Sequence, residues 1–430
     1  MRQRFGDGRD WFHEKRFGMF VHWGLYAIPG WHEQHQWRGQ VPREAYGTLK
    51  ERWNPTHFNP NLWLDIAEGA GMEYIVLTTK HHDGFCLFET KETDFNTINS
   101  PYGKDVVALL AEACHKRNFP LGFYYSCADW HHPNYPNQGR HHELEAQPGD
   151  DPSLEKYLVF LRAQVRELCT QYGELSCFWW DMNVDKHVDP SINDTIRALQ
   201  PKAVINNRGY DDGDFGTPER DHNPDLDQAP GFERLTEACQ SVGKESWGYR
   251  EGEDYYTDRH LIRSIDRYLA RDANYLLNVG PRADGTISQE SVEILRRIGV
   301  WYGRVRESFE DVEPVSNLPG NRDVLLTRRG KELYVHLVND PISSGVHLPS
   351  ISECPESAVL LNTGEKVETV VDMAPGNHVD RMPCLRIQDL PTNELTNTVL
   401  VVKLTFDKDV GSLTRATEAV GAIGCLLPQT

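Results

Sequence analysis

Short apolar runs that end on a polar residue alternate with amphipathic helical stretches along the chain as far as residue 305. Residues 17–24, 74–79, 121–126, 175–181, 203–206 and 275–279 read as strands. Between and after them, 61–70, 106–117, 154–171, 192–199, 258–271 and 288–305 read as helices. In 154–171, for example, Leu158, Leu161, Val165 and Leu168 recur at helical spacing. Strand–helix alternation of this kind builds a parallel sheet covered by its crossover helices. Roughly six to eight strands predict a (β/α)8-like barrel, with a doubly wound open sheet as the alternative. No glycine-rich dinucleotide loop follows any of these strands, which disfavours the open sheet.

Past residue 312 the helical period disappears. The segments 323–328, 332–338, 357–361, 368–371 and 398–406 read as short strands separated by turn residues, the pattern of an all-β sandwich. The chain of 430 residues is longer than one hydrophobic core usually supports. The expected organisation is therefore a barrel over 1–311, a β-sandwich over 312–407 and a weakly patterned tail over 408–430.

Charge narrows the range of ligands. With 45 basic and 64 acidic residues the net charge is −19, so nucleic acid and anionic membranes are not expected partners. Nine scattered cysteines without a CxxC pair argue against a disulfide framework. The N-terminus has no apolar signal-peptide core, and the expectation is a cytoplasmic protein, or a periplasmic or secreted one if a signal was trimmed.

The polar residues at the strand ends share one position in the fold, the C-terminal end of a barrel, where barrels carry their chemistry. His22 ends the first strand, His81 and His82 the second, Tyr124 and Tyr125 the third, and Arg208 follows the fifth. The fourth, Cys177-Phe-Trp-Trp-Asp181, ends on a carboxylate, read as a nucleophile. Imidazole, phenol and guanidinium groups between tryptophan walls suit a sugar, whose hydroxyls need donors and acceptors and whose C–H face packs on rings. Metal binding is the rival for the histidine pairs 81–82, 131–132 and 141–142, but adjacent residues on a strand point to opposite faces. The loop pairs are expected to have no role, and metal catalysis ranks well below sugar binding.

Glycosidic cleavage requires a second carboxyl group. The acidic stretch 209–231 and the residues after it supply Glu219, Asp221, Asp225, Glu233 and Glu237. Pro218 stiffens the chain just before Glu219, which favours that one.

Several motifs in order now carry a resemblance: Phe17-Gly-Met-Phe-Val-His-Trp-Gly24, Lys80-His-His-Asp-Gly-Phe85, Gly122-Phe-Tyr-Tyr-Ser126, Trp179-Trp-Asp181, Asn206-Asn-Arg208, Gly216-Thr-Pro-Glu219, Ser246-Trp-Gly-Tyr249 and Asn274-Tyr-Leu-Leu-Asn-Val-Gly-Pro281. Over about residues 11–310 the chain resembles the family 29 glycoside hydrolases, the α-L-fucosidases. The resemblance implies a barrel followed by a β-sandwich, and retaining release of terminal α-L-fucose from glycans or glycoconjugates without a cofactor. By the same resemblance Asp181 is the nucleophile, and Glu219 or, alternatively, Glu237 within Thr236-Glu-Ala-Cys239 is the acid/base. His22, His81 and His82 would hold hydroxyls, Trp179 with Tyr124 or Tyr125 would line the pocket, and Arg208 would brace the nucleophile. Trp247 and Phe20 would seat the sugar methyl group, and Trp37 would stand at the pocket edge. Two departures touch that edge: Gln36, not an acid, precedes Trp37, with Glu33 nearby, and Met182 follows Asp181 where glycine is common. A related sugar, non-catalytic sugar binding and self-association into a homo-oligomer remain open.

Overall fold

In the computed structural model, residues 4–138, 142–184, 186–220, 231–315, 321, 323–373 and 383–413 are described. Seven parallel strands form the first sheet: β1 Phe17–Val21, β2 Ile75–Lys80, β3 Leu121–Ser126, β4 Cys177–Asp181, β5 Val204–Ile205, β6 Glu237–Ser241 and β7 Asn274–Val279. Their order is β5-β4-β3-β2-β1-β7-β6, and among the described residues the curled sheet has its one gap between β5 and β6.

An irregular segment fills that gap. Asn206 bridges Phe215, Gly216 bridges Thr236 and Glu219 bridges Cys239, all in parallel sense. The amide of Asn207 donates to the Phe215 carbonyl at 3.0 Å, and the Cys239 amide donates to the Pro218 carbonyl at 3.0 Å. Residues 215–219 thus act as the eighth stave, giving the barrel-like wall that the alternation predicts.

Side chains alternate across this wall, as the two-residue period of a strand requires. Phe17, Met19, Val21, Phe123, Tyr125, Phe178, Trp180, Tyr275 and Leu277 pack outward in the layer between sheet and helices. Phe20, Tyr124, Cys177, Trp179, Cys239 and Leu276 pack inward, with Tyr74, Val76, Val204 and Phe215. Each large apolar side chain buried this way contributes roughly 1.5–3 kcal/mol of transfer free energy. The helices Pro60–Gly69, Val106–Arg117, Leu154–Gln171, Pro190–Leu199, Asp258–Leu269 and Gln289–Val305 follow the expected stretches closely. Their starts have local causes: Asn59, Asp105, Ser153, Thr257 and Ser288 each cap the first turn through a side-chain oxygen.

The C-terminal part holds two antiparallel sheets. One has six strands, in spatial order Glu365–Lys366, Ser357–Leu360, Leu400–Thr405, Glu332–Leu337, Leu325–Arg329 and Glu313–Pro314. The other has three, Val346–Leu348, Cys384–Gln388 and Glu368–Asp372. Leu333, Val335 and Leu337 of the first meet Val346, Leu348, Leu385 and Ile387 of the second in one apolar core, so the two sheets pack face to face. The sheet strands Val346–Leu348 and Cys384–Gln388 are additions to the sequence reading. This part docks on the barrel through buried polar contacts. His336 Nδ1 lies 2.8 Å from Asp266 Oδ1, and the Trp301 indole N–H donates to the Val399 carbonyl at 3.1 Å. Of the tail 408–430, residues 414–430 lie outside the described residues. No described helix is long and apolar enough to cross a membrane.

Candidate active site

The inward faces of the strand ends converge on a pocket of about 200 Å³. Its wall includes Phe20, His22, Glu33, His81, His82, Tyr124, His142, Trp179, Asp181, Met182, Arg208, Glu219, Cys239 and Trp247. Most residues singled out from the sequence are brought together here, from segments more than 200 residues apart in the chain.

Asp181 is the centre of the polar network. One carboxylate oxygen, Oδ2, accepts from the Tyr124 hydroxyl at 2.8 Å, and Oδ1 accepts from Arg208 Nη1 at 3.2 Å. His82 Nε2 stands 4.0 Å from Oδ2. Burial pushes this carboxyl upward, but Arg208, His82 and the Tyr124 hydroxyl together outweigh it and hold Asp181 below the usual carboxylate range. The group is an anion at neutral pH, as a nucleophile must be.

Arg208 is itself fixed. Its Nε donates to Thr217 Oγ1 at 2.7 Å and its Nη2 to the Thr217 carbonyl at 2.9 Å, while the guanidinium lies 4.8 Å over the Trp179 ring. The same Nη1 that binds Asp181 lies 3.0 Å from Glu219 Oε2. With one nitrogen 3.2 Å from the first oxygen and 3.0 Å from the second, those oxygens are no more than the sum, 6.2 Å, apart. The Glu219 side chain is 39% exposed, so it can exchange protons with solvent.

Three histidines face the pocket as neutral rings. Burial lowers His22 to about 4, against the pull of Glu33 and the bond to Asn278. Burial likewise lowers His82 to about 4, and His81 goes well below the ordinary range through burial and its histidine neighbours. His22 Nδ1 is 2.7 Å from Asn278 Oδ1, whose amide nitrogen donates to Ser241 Oγ and to the Trp247 carbonyl. Asn278 Oδ1 is therefore the acceptor, Nδ1 carries the proton, and the Nε2 lone pair of His22 remains to accept a hydroxyl. Gly280, two residues on, lets residues 248–249 approach β7: a Cβ there would come 2.3 Å from the Gly248 carbonyl carbon. That approach sets Trp247 at the pocket beside Phe20, with ring centres 6.3 Å apart.

Several expectations need correction. Tyr125 does not reach the pocket: strand alternation turns it outward, where its hydroxyl donates to Gln164 Oε1 at 2.7 Å. Trp37 does not line the pocket either, but packs edge-on against His142 at 4.2 Å between ring centres. His142, assigned no role from the sequence, is part of the wall, whereas His131 stacks on Phe95 and His132 packs on Phe160. Adjacent His81 and His82 both face inward because β2 ends at Lys80 and the chain has left the strand, their rings stacked at 3.8 Å. Glu237 lies outside the pocket, fully buried and bound by the Tyr74 hydroxyl at 2.5 Å and the Trp179 indole N–H at 3.1 Å. Glu233 is exposed and also outside the pocket, while Asp221, Asp225 and His141 lie outside the described residues.

Glu33, which the sequence places four residues before Trp37, lines the pocket. Its Oε2 accepts from Ser246 Oγ and from the Trp247 amide, each at 2.9 Å, and the residue is 3% exposed. The available signal was its being the sole acid between Leu25 and Val41. Among the described residues, no three His, Cys, Asp or Glu side chains group as metal ligands would.

Comparison with known proteins matches this geometry to one family. The sequence profile described as Alpha-L-fucosidase covers residues 6–307. The alpha-L-fucosidase isoenzyme 1 from Paenibacillus thiaminolyticus superposes with a TM-score of 0.82 at 32% identity, covering 94% of this chain and 99% of that one. A bacterial fucosidase solved with a monovalent iminocyclitol inhibitor superposes with a TM-score of 0.78 at 26% identity, covering 94% and 96%. The tissue alpha-L-fucosidase of Bos taurus is 26% identical over 360 residues, 77% of this chain and 75% of its own.

Proposed function

This chain belongs to the α-L-fucosidase family of glycoside hydrolases, and we propose that it releases terminal α-L-fucose from fucosylated oligosaccharides or glycoconjugates with retention of configuration. The observation that carries the retaining reading is the shared Arg208 nitrogen. It keeps oxygens of Asp181 and Glu219 within 6.2 Å, below the about 6.5–9.5 Å that an inverting pair needs to admit water.

In the first step Asp181 Oδ attacks the anomeric carbon as the glycosidic C–O bond breaks, and Glu219 gives its proton to the leaving oxygen. A fucosyl ester on Asp181 and a free alcohol result. In the second step Glu219 takes a proton from water, whose oxygen attacks the anomeric carbon and releases the Asp181 carboxylate. Tyr124 and Arg208 hold Asp181 in place for both displacements. The neutral rings of His22, His81 and His82 suit uncharged hydroxyls, and Phe20 with Trp247 gives the methyl group an apolar seat. The bacterial fucosidase of the same fold was solved with a monovalent iminocyclitol inhibitor, a small polyhydroxylated ring, which supports a ligand of that kind here.

The test is the anomer first formed. Proton NMR of fresh hydrolysate from an aryl α-L-fucoside should show α-L-fucose before mutarotation. β-L-fucose as the first product would refute retention, and no turnover would refute the substrate.

A further inference from the structure

We propose that Glu237 is a positioning residue for this hydrolysis: from the layer beneath the pocket it fixes Trp179, and through that ring the Arg208 guanidinium that touches both carboxylates. The inference rests on the roles given to Asp181 and Glu219 above.

Glu237 and Cys239 share a face of β6, and Cys239 lines the pocket while Glu237 does not. Two residues of strand put Glu237 about 6–7 Å further down the barrel interior. Both of its oxygens are engaged there: Oε2 by Tyr74 and Oε1 by the Trp179 indole. Trp179 is 1% exposed, packs on Phe20 and Tyr124 at 5.2 and 5.6 Å, and carries Arg208 on its face at 4.8 Å. Of these partners Glu237 alone bonds the indole N–H, and that directional contact fixes the side-chain torsions of Trp179 where the tilted ring of Phe20 and the stacked ring of Tyr124 leave the N–H edge unheld. Without it the indole can tilt about its Cβ–Cγ bond, and the Arg208 guanidinium on its face would move with it.

The chemistry of the donor pair explains why an acid stands here. An indole N–H and a phenol O–H, both buried, each require an acceptor, and a carboxylate offers one oxygen to each. Glutamine keeps the arrangement: its carbonyl oxygen accepts from Trp179, and its amide donates to the Tyr74 oxygen. Leucine leaves both donors without partners. A proton-donating role for Glu237 is disfavoured by the same geometry, since neither oxygen faces the pocket. Burial raises its pKa to about 7, which is what a carboxyl without a cation partner experiences and is not by itself a sign of catalysis.

The experiment compares the full chain and its variants on two α-L-fucosides, one with a good nitrophenol leaving group and one with a poor alkyl leaving group. Glu219→Gln should lose on the order of 10³-fold on the poor leaving group and much less on the good one, as loss of a general acid does. Glu237→Leu should instead lose about tenfold to a hundredfold in kcat/KM, by the same factor on both substrates. Glu237→Gln should recover activity to within about threefold of wild type. Trp179→Phe, which keeps an aromatic ring but deletes the N–H with the pyrrole part of the indole, should lose activity alone and add nothing to Glu237→Leu.

A Glu237→Gln loss that grows with leaving-group basicity would make Glu237 the proton donor and overturn the inference. So would a fully active Glu237→Leu, or additive losses in the double variant. If Glu237→Leu does not fold, Glu237→Gln and Trp179→Phe decide, and an unaltered Trp179→Phe overturns the inference. A wild type that turns over neither fucoside refutes the proposed function itself, whereas failure confined to these variants refutes only the role of Glu237.

Discussion

Asp181 and Glu237 both project into the barrel interior, one at the mouth and one a layer down, and the barrel treats their carboxyl groups in opposite ways. Each is surrounded by aromatic rings, and each accepts a tyrosine hydroxyl, from Tyr124 and Tyr74 respectively. Asp181 also has Arg208 within 3.2 Å and is held below the usual carboxylate range. Among the described residues Glu237 meets two neutral donors and no cation, and burial raises it to about 7. Burial alone therefore does not set the state of an acid. The placing of one guanidinium separates a group fit to attack carbon from one fit to hold a ring still.

The comparison breaks most sharply if the cation is removed. Arg208→Met should lower kcat by about a hundredfold to a thousandfold, since it takes a preorganised charge from the reacting centre. Asp181 must be ionised to attack, and without Arg208 its pKa rises, so the acid limb of kcat/KM should move to higher pH. A pH–rate profile that falls in height without moving on the pH axis would contradict this.

A smaller effect is expected from the hydroxyl at the mouth. Tyr124→Phe removes one donor to the Asp181 anion and should cost about tenfold in kcat. Its neighbour supplies the control: Tyr125→Phe should leave kcat and KM within about twofold and lower stability by about 1 kcal/mol through the lost bond to Gln164. Steady-state kinetics beside thermal melts would separate the two.

In the lower layer the readout is stability. Burial raises the folded pKa of Glu237 to about 7, against an ordinary 4.5. Between these values the unfolded chain has released a proton that the folded chain keeps, so stability falls as pH rises from about 4.5 to about 7 and then levels. Glu237→Gln removes that dependence. It should gain, relative to wild type, on the order of 3 kcal/mol on going from pH 4 to pH 8. Denaturant melts at the two pH values test the sign, and a difference that shrinks as pH rises would show that Glu237 is not the group responsible.

Legibility in the sequence follows the same division between mouth and interior. The strands β1 to β5 and β7 are apolar and closed by polar residues, so period and punctuation reveal them. β6 does not look like a strand, because Glu237, Gln240 and Ser241 are polar and are satisfied by specific bonds no pattern encodes. The stave 215–219 forms only isolated bridges, and its Gly216 and Pro218 read as loop. Strand-end position brought out Asp181, His22 and Arg208, whereas alternation alone decides between Tyr124 and Tyr125 and requires knowing where the strand registers. Glu33 comes from a loop between short helices, and its arrival at the pocket depends on Ser246 and Trp247, more than 200 residues away. Pro218 and the Gly-Thr-Pro-Glu resemblance favour Glu219 over Glu237 in the sequence, and in the structure Glu219 lines the pocket while Glu237 lies beneath it.

The central claim is that Asp181 is the group that bonds to the sugar, and chemical rescue tests it most directly. Asp181→Gly should lose on the order of 10⁴-fold or more of its activity on an aryl α-L-fucoside with a good leaving group. Added azide should occupy the vacated space and restore turnover, with β-L-fucosyl azide as the product. A variant that keeps substantial activity, or that gives α-L-fucosyl azide, would contradict the account.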